Sequence, residues 1–169
     1  RLSKQKNFEL LIKVFSQFNL IVDSRLMIIG EGTERAKLKE LIMVLGLDQK
    51  VDLIGYEMNV HRYVARADLF VLSSNYEGLP NALIEAIAVG TPVISTNCLS
   101  GPSEILMDGK GGDLVPTGDS FQLFSAIIRN LLNKDYSEKK LNRAIKSLDR
   151  FKEQTVMKDY SRLLERLRT

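Results

Sequence analysis

The 169 residues suit one domain, and 44% hydrophobic with 27% charged residues is an ordinary globular composition. With Cys98 the lone cysteine and His61 the lone histidine, an intrachain disulfide, a Cys-based zinc site and a multi-His metal site are excluded. A net charge of +3 is too small to argue for nucleic acid as a partner, and no apolar run approaches a membrane span, so a cytoplasmic setting is the expectation.

Phe8, Leu11, Ile12, Phe15 and Phe18 recur at helical spacing and predict an amphipathic helix over 6–19. A short apolar strand is expected at 25–30. Thr33 is placed to cap a helix that runs to Leu45, and Gly46 ends it. Strands follow at 51–55 and 68–74, with a short helix at 59–66 between them. Pro80 reads as a first-turn proline of the next helix, which Gly90 closes. A strand at 92–96, a helical turn in "SGPSEIL" and a strand at 111–116 come next. Helices are expected at 119–133, 137–150 and 153–167. Lys134 to Thr169 holds eleven Lys/Arg against six Asp/Glu, so the basic charge is gathered in this tail.

Short, continuously apolar strands that alternate with helices predict a doubly wound α/β domain with a parallel sheet of five or six strands, followed by C-terminal helices. Ligands of such sheets bind at the carboxyl ends of the strands. The stretch "SSNYEGLPNALIEAIAVGTPVIST" lies there. Glu77 sits in the loop before a helix, and Asn81 and Glu85 share one face of that helix. Helix-start N–H groups bind phosphate, and carboxylates accept hydrogen bonds from hydroxyls. Together they fit a phosphorylated sugar or a nucleotide sugar. An acidic first turn with an exposed Glu85 is the plainer account of either glutamate alone.

Other features separate less sharply. "GEGTE" fails as a dinucleotide fingerprint because Arg35 stands where the third glycine belongs, leaving a tight turn. "TNCLSGPSEIL" opens a turn at Gly101–Ser103 whose N–H groups face the site, or simply caps a short helix. His61 reads as a surface or packing residue and Cys98 as structural. The last helix carries Val156, Met157, Tyr160, Leu163, Leu164 and Leu167 on one stripe, expected to pack on the core. Attraction to an anionic membrane surface is the alternative.

"NYEGLPNALIEAIAVGTPVIST" resembles the Glu-x7-Glu signature of retaining, nucleotide-sugar-dependent glycosyltransferases of the GT-B fold, the large family 4 group. "RLSKQKNFELLI" resembles that group's diphosphate loop. "LMIIGEGTERAKLKELI", "VDLIGY" and "SGPSEIL" follow in the group's order. The resemblance implies that residues 1–169 are the C-terminal, donor-binding half of such an enzyme, cut just after its first strand. It assigns Glu85 to the ribose hydroxyls and Glu77 to the transferred sugar. The backbone of Gly78, Leu79, Pro80, Asn81 and Ala82 would hold sugar hydroxyls and the distal phosphate. Arg1 and Lys6 would neutralise the departing diphosphate, and Gly55 and Tyr56 would flank the base, although a surface turn explains those two equally well. No Asp-x-Asp pair lies in a suitable loop, so no metal or other cofactor is expected. UDP is the favoured nucleotide, cell-surface glycan synthesis the favoured pathway, and a glycan or lipid-linked molecule the acceptor, with contact at the inner face of the cytoplasmic membrane left open. A nucleotide-sugar binding module without turnover and an epimerase on the same fold are the alternatives.

Overall fold

The computed structural model describes residues 1–167; Arg168 and Thr169 of the basic tail, and the side chain of Leu167 from the apolar stripe, lie outside the described residues. Asn7, at a left-handed φ of 47°, caps the first helix α1 (Phe8–Phe18) by accepting the Leu10 N–H at 3.4 Å. Leu11, Ile12, Phe15 and Phe18 are buried as expected; Val14 joins them, and Phe8 is only partly buried. Strand β1 (Leu26–Ile29), α2 (Arg35–Val44), β2 (Val51–Gly55), α3 (His61–Val64) and β3 (Phe70–Leu72) follow. Next come α4 (Asn81–Ala88), β4 (Val93–Thr96), α5 (Pro102–Ile105) and β5 (Asp113–Val115). Three helices complete the chain: α6 (Ser120–Leu132), α7 (Lys134–Ser147) and α8 (Glu153–Leu167).

All strand pairs are parallel, as the alternation of strands and helices requires. On β4 the neighbours Val93 and Ile94 point to opposite faces and join two separate cores. One core gathers α1, α2, β1, β2 and α6; the other gathers α4, α5 and Ala144 of α7. Helices therefore cover both faces of the strand layer, which is the doubly wound arrangement.

The strands form two ladders, β1–β2 and β3–β4–β5, instead of one continuous sheet. The Leu26 N–H donates to Lys50 O (2.9 Å) and the Phe70 N–H to Pro92 O (2.9 Å), so these residues point toward β2 and β4. By alternation, Met27 on β1 and Val71 on β3 turn their main-chain groups toward the space between the ladders. β4, flanked on both sides, is buried throughout, whereas β1 and β3 are not.

Several expected boundaries shift. Thr33 does not cap α2; Glu34 precedes it without a side-chain bond. Pro80 lies outside the helix, extended at φ −75° and ψ 90°, and its carbonyl accepts the Leu83 N–H at 2.9 Å. Asn133 alone joins α6 to α7, because its side chain accepts the Tyr136 N–H (3.0 Å) and starts the new helix at once. The stripe on α8 is not packed on the core: Val156, Met157, Tyr160, Leu163 and Leu164 remain about half exposed. α6 packs on α1 and α7 on α4, while α8 packs chiefly on the short helical turn at 148–151 that precedes it.

Candidate functional site

Three loops converge at the carboxyl ends of β3 and β4. The first, residues 3–7, is stitched to the second, residues 73–77. Asn75 N–H donates to Gln5 O (2.8 Å), Asn75 Nδ2 to Lys4 O (3.1 Å) and Gln5 Nε2 to Tyr76 O (2.9 Å). Ser73 Oγ donates to Lys6 O (2.8 Å), and Asn7 Nδ2 to Asn75 Oδ1 (3.0 Å). The third loop, residues 97–101, closes over the second. Ser100 Oγ donates to Glu77 O at 2.9 Å. Gly101, at φ +88°, lies so close that a Cβ there would meet Gly78 O at 1.9 Å.

This stitching fixes Glu77. Its side chain is only 8% exposed, and Oε1 accepts from Lys6 Nζ (2.6 Å) and from Ser74 Oγ (2.6 Å). Both bonds fall on one oxygen, and Oε2 has no hydrogen bond among the described residues. A carboxylate held this way keeps one oxygen for an incoming hydroxyl. Ser74 is buried beneath it, and its own carbonyl is anchored by Thr96 Oγ1 (2.6 Å) and by the Cys98 thiol (3.3 Å). Cys98 is thus a structural donor, in line with its sequence reading.

Arg1 is held by its neighbour. Leu2 is fully buried, its N–H donates to Glu31 O (2.7 Å) and its carbonyl accepts the Glu34 N–H (3.2 Å). Arg1, Lys6, Ser73, Ser74 and Ala82 line part of a cavity of about 320 Å³ whose walls are chiefly β1 and β3, the space between the two ladders. Two of the cations expected to act together therefore open onto the same space.

Gly78, Leu79, Asn81 and Ala82 offer N–H groups at the start of α4 that make no hydrogen bond among the described residues; Leu79, Asn81 and Ala82 are exposed. Pro80 has no N–H and drops out as a donor. Its role is conformational: it holds the turn into α4, with its Cδ against Gly101. Glu85, one turn after Asn81, is about half exposed. His61 Nε2 stands 3.5 Å from Glu85 Oε2, so the histidine read as a surface residue faces a candidate site carboxylate.

Gly55 ends β2 at φ +90°, and Tyr56 beside it is 78% exposed. The open face of Gly55 is not bare. A Cβ there would meet Glu31 Oε1 at 2.9 Å, and Arg35 Nη1 pairs with the same oxygen at 3.0 Å.

Sequence reasoning missed Ser74, the pairing of Lys6 with Glu77, Ser100 and the Glu31–Arg35 pair. Ser74 read as the tail of a strand. A paired serine before an asparagine is weak by itself, and its partner lies three residues on, in a loop whose path the sequence leaves open. Among the described residues no three His, Cys, Asp or Glu side chains gather as a metal site.

Parallel strands with loops meeting at a helix start, a buried carboxylate and a paired lysine define a domain of the doubly wound class. The family model described as "Glycosyl transferases group 1" matches residues 1–155. The chain belongs to that family. It is 36% identical over 156 residues to the N-acetylgalactosamine-N,N'-diacetylbacillosaminyl-diphospho-undecaprenol 4-alpha-N-acetylgalactosaminyltransferase of Campylobacter jejuni, covering 90% of this chain and 42% of that one. It is 31% identical over 144 residues to an amylovoran biosynthesis glycosyltransferase of Erwinia amylovora, covering 85% of this chain and 40% of that one. Among solved structures, Anabaena HepE in complex with UDP and glucose superposes with a TM-score of 0.86 at 24% identity, over 98% of this chain and 46% of that one. S. aureus TarM gives a TM-score of 0.88 at 24% identity, over 96% of this chain and 33% of that one. These superpositions show the fold, a Rossmann-like unit of GT-B glycosyltransferases. The chain spans less than half the length of each of these proteins.

Proposed function

We propose that this chain is the donor-binding unit of a retaining glycosyltransferase that takes a nucleoside-diphosphate sugar, with UDP as the nucleotide. The observation that carries the reading is the Lys6–Glu77–Ser74 cluster at the start of α4, in a chain of the glycosyl transferases group 1 family. UDP in the HepE complex supports the choice of nucleotide.

The chemistry follows from where charge moves. As the bond between the anomeric carbon and the diphosphate oxygen breaks, negative charge grows on the diphosphate. Fixed cations and N–H groups stabilise that state more than the bound donor. Arg1, Lys6 and the N–H groups of Gly78, Leu79, Asn81 and Ala82 are the groups available. They are enough to neutralise the diphosphate without a metal, and equal turnover with chelator and with magnesium is the expected result. Glu77 Oε2 accepts from a hydroxyl of the transferred sugar, and its charge stabilises the positive anomeric carbon. Glu85 accepts from the ribose hydroxyls, with Gly55 and Tyr56 beside the base.

The acceptor is a glycan or lipid-linked glycan of cell-surface synthesis; a diphospho-undecaprenol-linked sugar and amylovoran biosynthesis in the names of two relatives support this. It binds through the part of the protein beyond this chain, so the isolated chain holds the nucleotide sugar without turning it over. No helix among the described residues is long and apolar enough to cross a membrane. A cytoplasmic enzyme working at the inner membrane face fits the half-exposed stripe of α8. The test is the product of the intact enzyme. An anomeric proton coupling that matches the donor's configuration supports retention, and the opposite anomer refutes it.

A further inference from the structure

We propose that Ser74 and Thr96 are positioning residues that set the orientation of the Glu77 carboxylate, an assignment that rests on the reading of Glu77 as the group that meets the transferred sugar. Both side chains are fully buried, and both act through hydrogen bonds that end on Glu77.

Two donors converge on Glu77 Oε1, Lys6 Nζ at 2.6 Å and Ser74 Oγ at 2.6 Å. They differ in what else can claim them. Lys6 carries three N–H groups on a side chain that is 24% exposed, so an anion entering the site can draw on it. Ser74 has one proton, and among the described residues Glu77 Oε1 is its acceptor. A bound anion therefore leaves Ser74 as the constant donor. The terminal torsion of a glutamate is broad, so a carboxylate without such a donor presents either oxygen. Ser74 spends Oε1 and leaves Oε2 for a hydroxyl.

Ser74 is itself held from the strand beneath. Its carbonyl accepts Thr96 Oγ1 at 2.6 Å and the Cys98 thiol at 3.3 Å. Thr96 ends β4, the middle strand of its ladder, and pairs with Val115 of β5. The next residue continues the anchor, because Asn97 N–H donates to Val115 O at 2.7 Å. Support thus runs from β4 through Thr96 and Ser74 to the carboxylate. The neighbouring serine holds the other member of the ion pair, since Ser73 Oγ donates to Lys6 O at 2.8 Å. Buried bonds of this kind keep a reacting group within the narrow range of geometry its chemistry needs.

The test is made in the intact enzyme with steady-state kinetics, UDP calorimetry and thermal melting. Ser74→Ala removes the donor and leaves the backbone carbonyl. Thr96→Val removes the hydroxyl and keeps the shape, and Thr96→Ser keeps the hydroxyl. Ser74→Ala should lower kcat about ten- to hundredfold, the scale of one hydrogen bond to a charged group, with UDP affinity near the parent's. Thr96→Val should lower kcat by a smaller factor, and Thr96→Ser should restore most of it. Thr96→Val should add little to Ser74→Ala, because it acts through Ser74. Parental kcat in folded Ser74→Ala, or kcat and UDP affinity falling together, overturns the assignment. Losses that multiply in the double variant overturn the part of Thr96. If Ser74→Ala fails to fold, equal kcat in Thr96→Val and Thr96→Ser overturns the relay. Parental kcat in Glu77→Ala overturns the underlying reading of the site instead.

Discussion

Lys6 Nζ lies 2.6 Å from Glu77 Oε1, joining a cation from the first loop to a carboxylate from the loop before α4. Lys6 keeps 24% of its side chain exposed. On the proposed reading it turns part of its hydrogen bonding toward the diphosphate while staying beside Glu77.

This pairing makes two substitutions distinguishable in the intact enzyme. Lys6→Ala should lower kcat by about 10²–10³, the cost of removing one fixed donor to a developing charge. Glu77→Ala should lower turnover far more than it lowers UDP affinity, as expected of a carboxylate proposed to contact the transferred sugar. Steady-state kinetics with calorimetry for UDP checks both, and equal losses of turnover and UDP affinity in Glu77→Ala would contradict its placement.

Gly101→Ala should disturb the site through the backbone. The added Cβ would fall 1.9 Å from Gly78 O and 2.7 Å from Pro80 Cδ, at a φ that side chains rarely adopt. A loss of about 1–3 kcal/mol in stability is expected, with weaker donor binding because the Gly78–Ala82 turn must shift. Chemical denaturation and UDP titration of the same variant measure both.

Asp113 is a keystone distant from the site. It is 3% exposed and accepts from Arg129 Nη2 (2.6 Å), Asn130 Nδ2 (2.8 Å), Tyr136 Oη (2.7 Å) and Lys140 Nζ, tying β5 to α6 and α7. Burial pushes its carboxyl up, but the bonds from Lys140, Arg129 and Tyr136 outweigh this and hold it below the usual carboxylate range. A carboxyl with a lowered folded pKa adds stability above its unfolded value of about 4, and that stability is lost as the pH falls through the folded value. Asp113→Asn should therefore cost about 1–3 kcal/mol at neutral pH, and the gap to the parent should narrow below about pH 4. Melting curves across pH 3–7 test the slope.

The open edges of β1 and β3 carry a further expectation. If the chain is the donor half of a larger enzyme, the residues preceding Arg1 form a strand between the two ladders. The Met27 and Val71 amides should then exchange slowly in the longer protein and fast in this chain. Equal exchange in both would contradict that placement.

Much of this was legible in the sequence because it is local. The period of α1, the apolar strands and the ordered segments from "RLSKQKNFELLI" to "SGPSEIL" depend on near neighbours or on family pattern. What was not legible depends on partners distant in sequence. Ser73, Asn75 and Glu77 meet residues 4–7 only through the fold, some 70 positions away. Gly55 was legible as a close-approach position, but not the Glu31 carboxylate that stands against it, because the fold alone brings β1 and β2 together. α8 looked like a core helix because its stripe is regular, but periodicity cannot say whether a partner surface is vacant.

The most direct test of the donor-binding account is a metal-free calorimetric titration of this chain and its Glu85→Ala variant with UDP, alongside GDP and ADP. The account predicts selective binding of UDP, unaffected by magnesium and weakened by about 1–3 kcal/mol in Glu85→Ala, the worth of hydrogen bonds to a charged acceptor. UDP affinity unchanged by Glu85→Ala, or no preference among the three nucleotides, would contradict it.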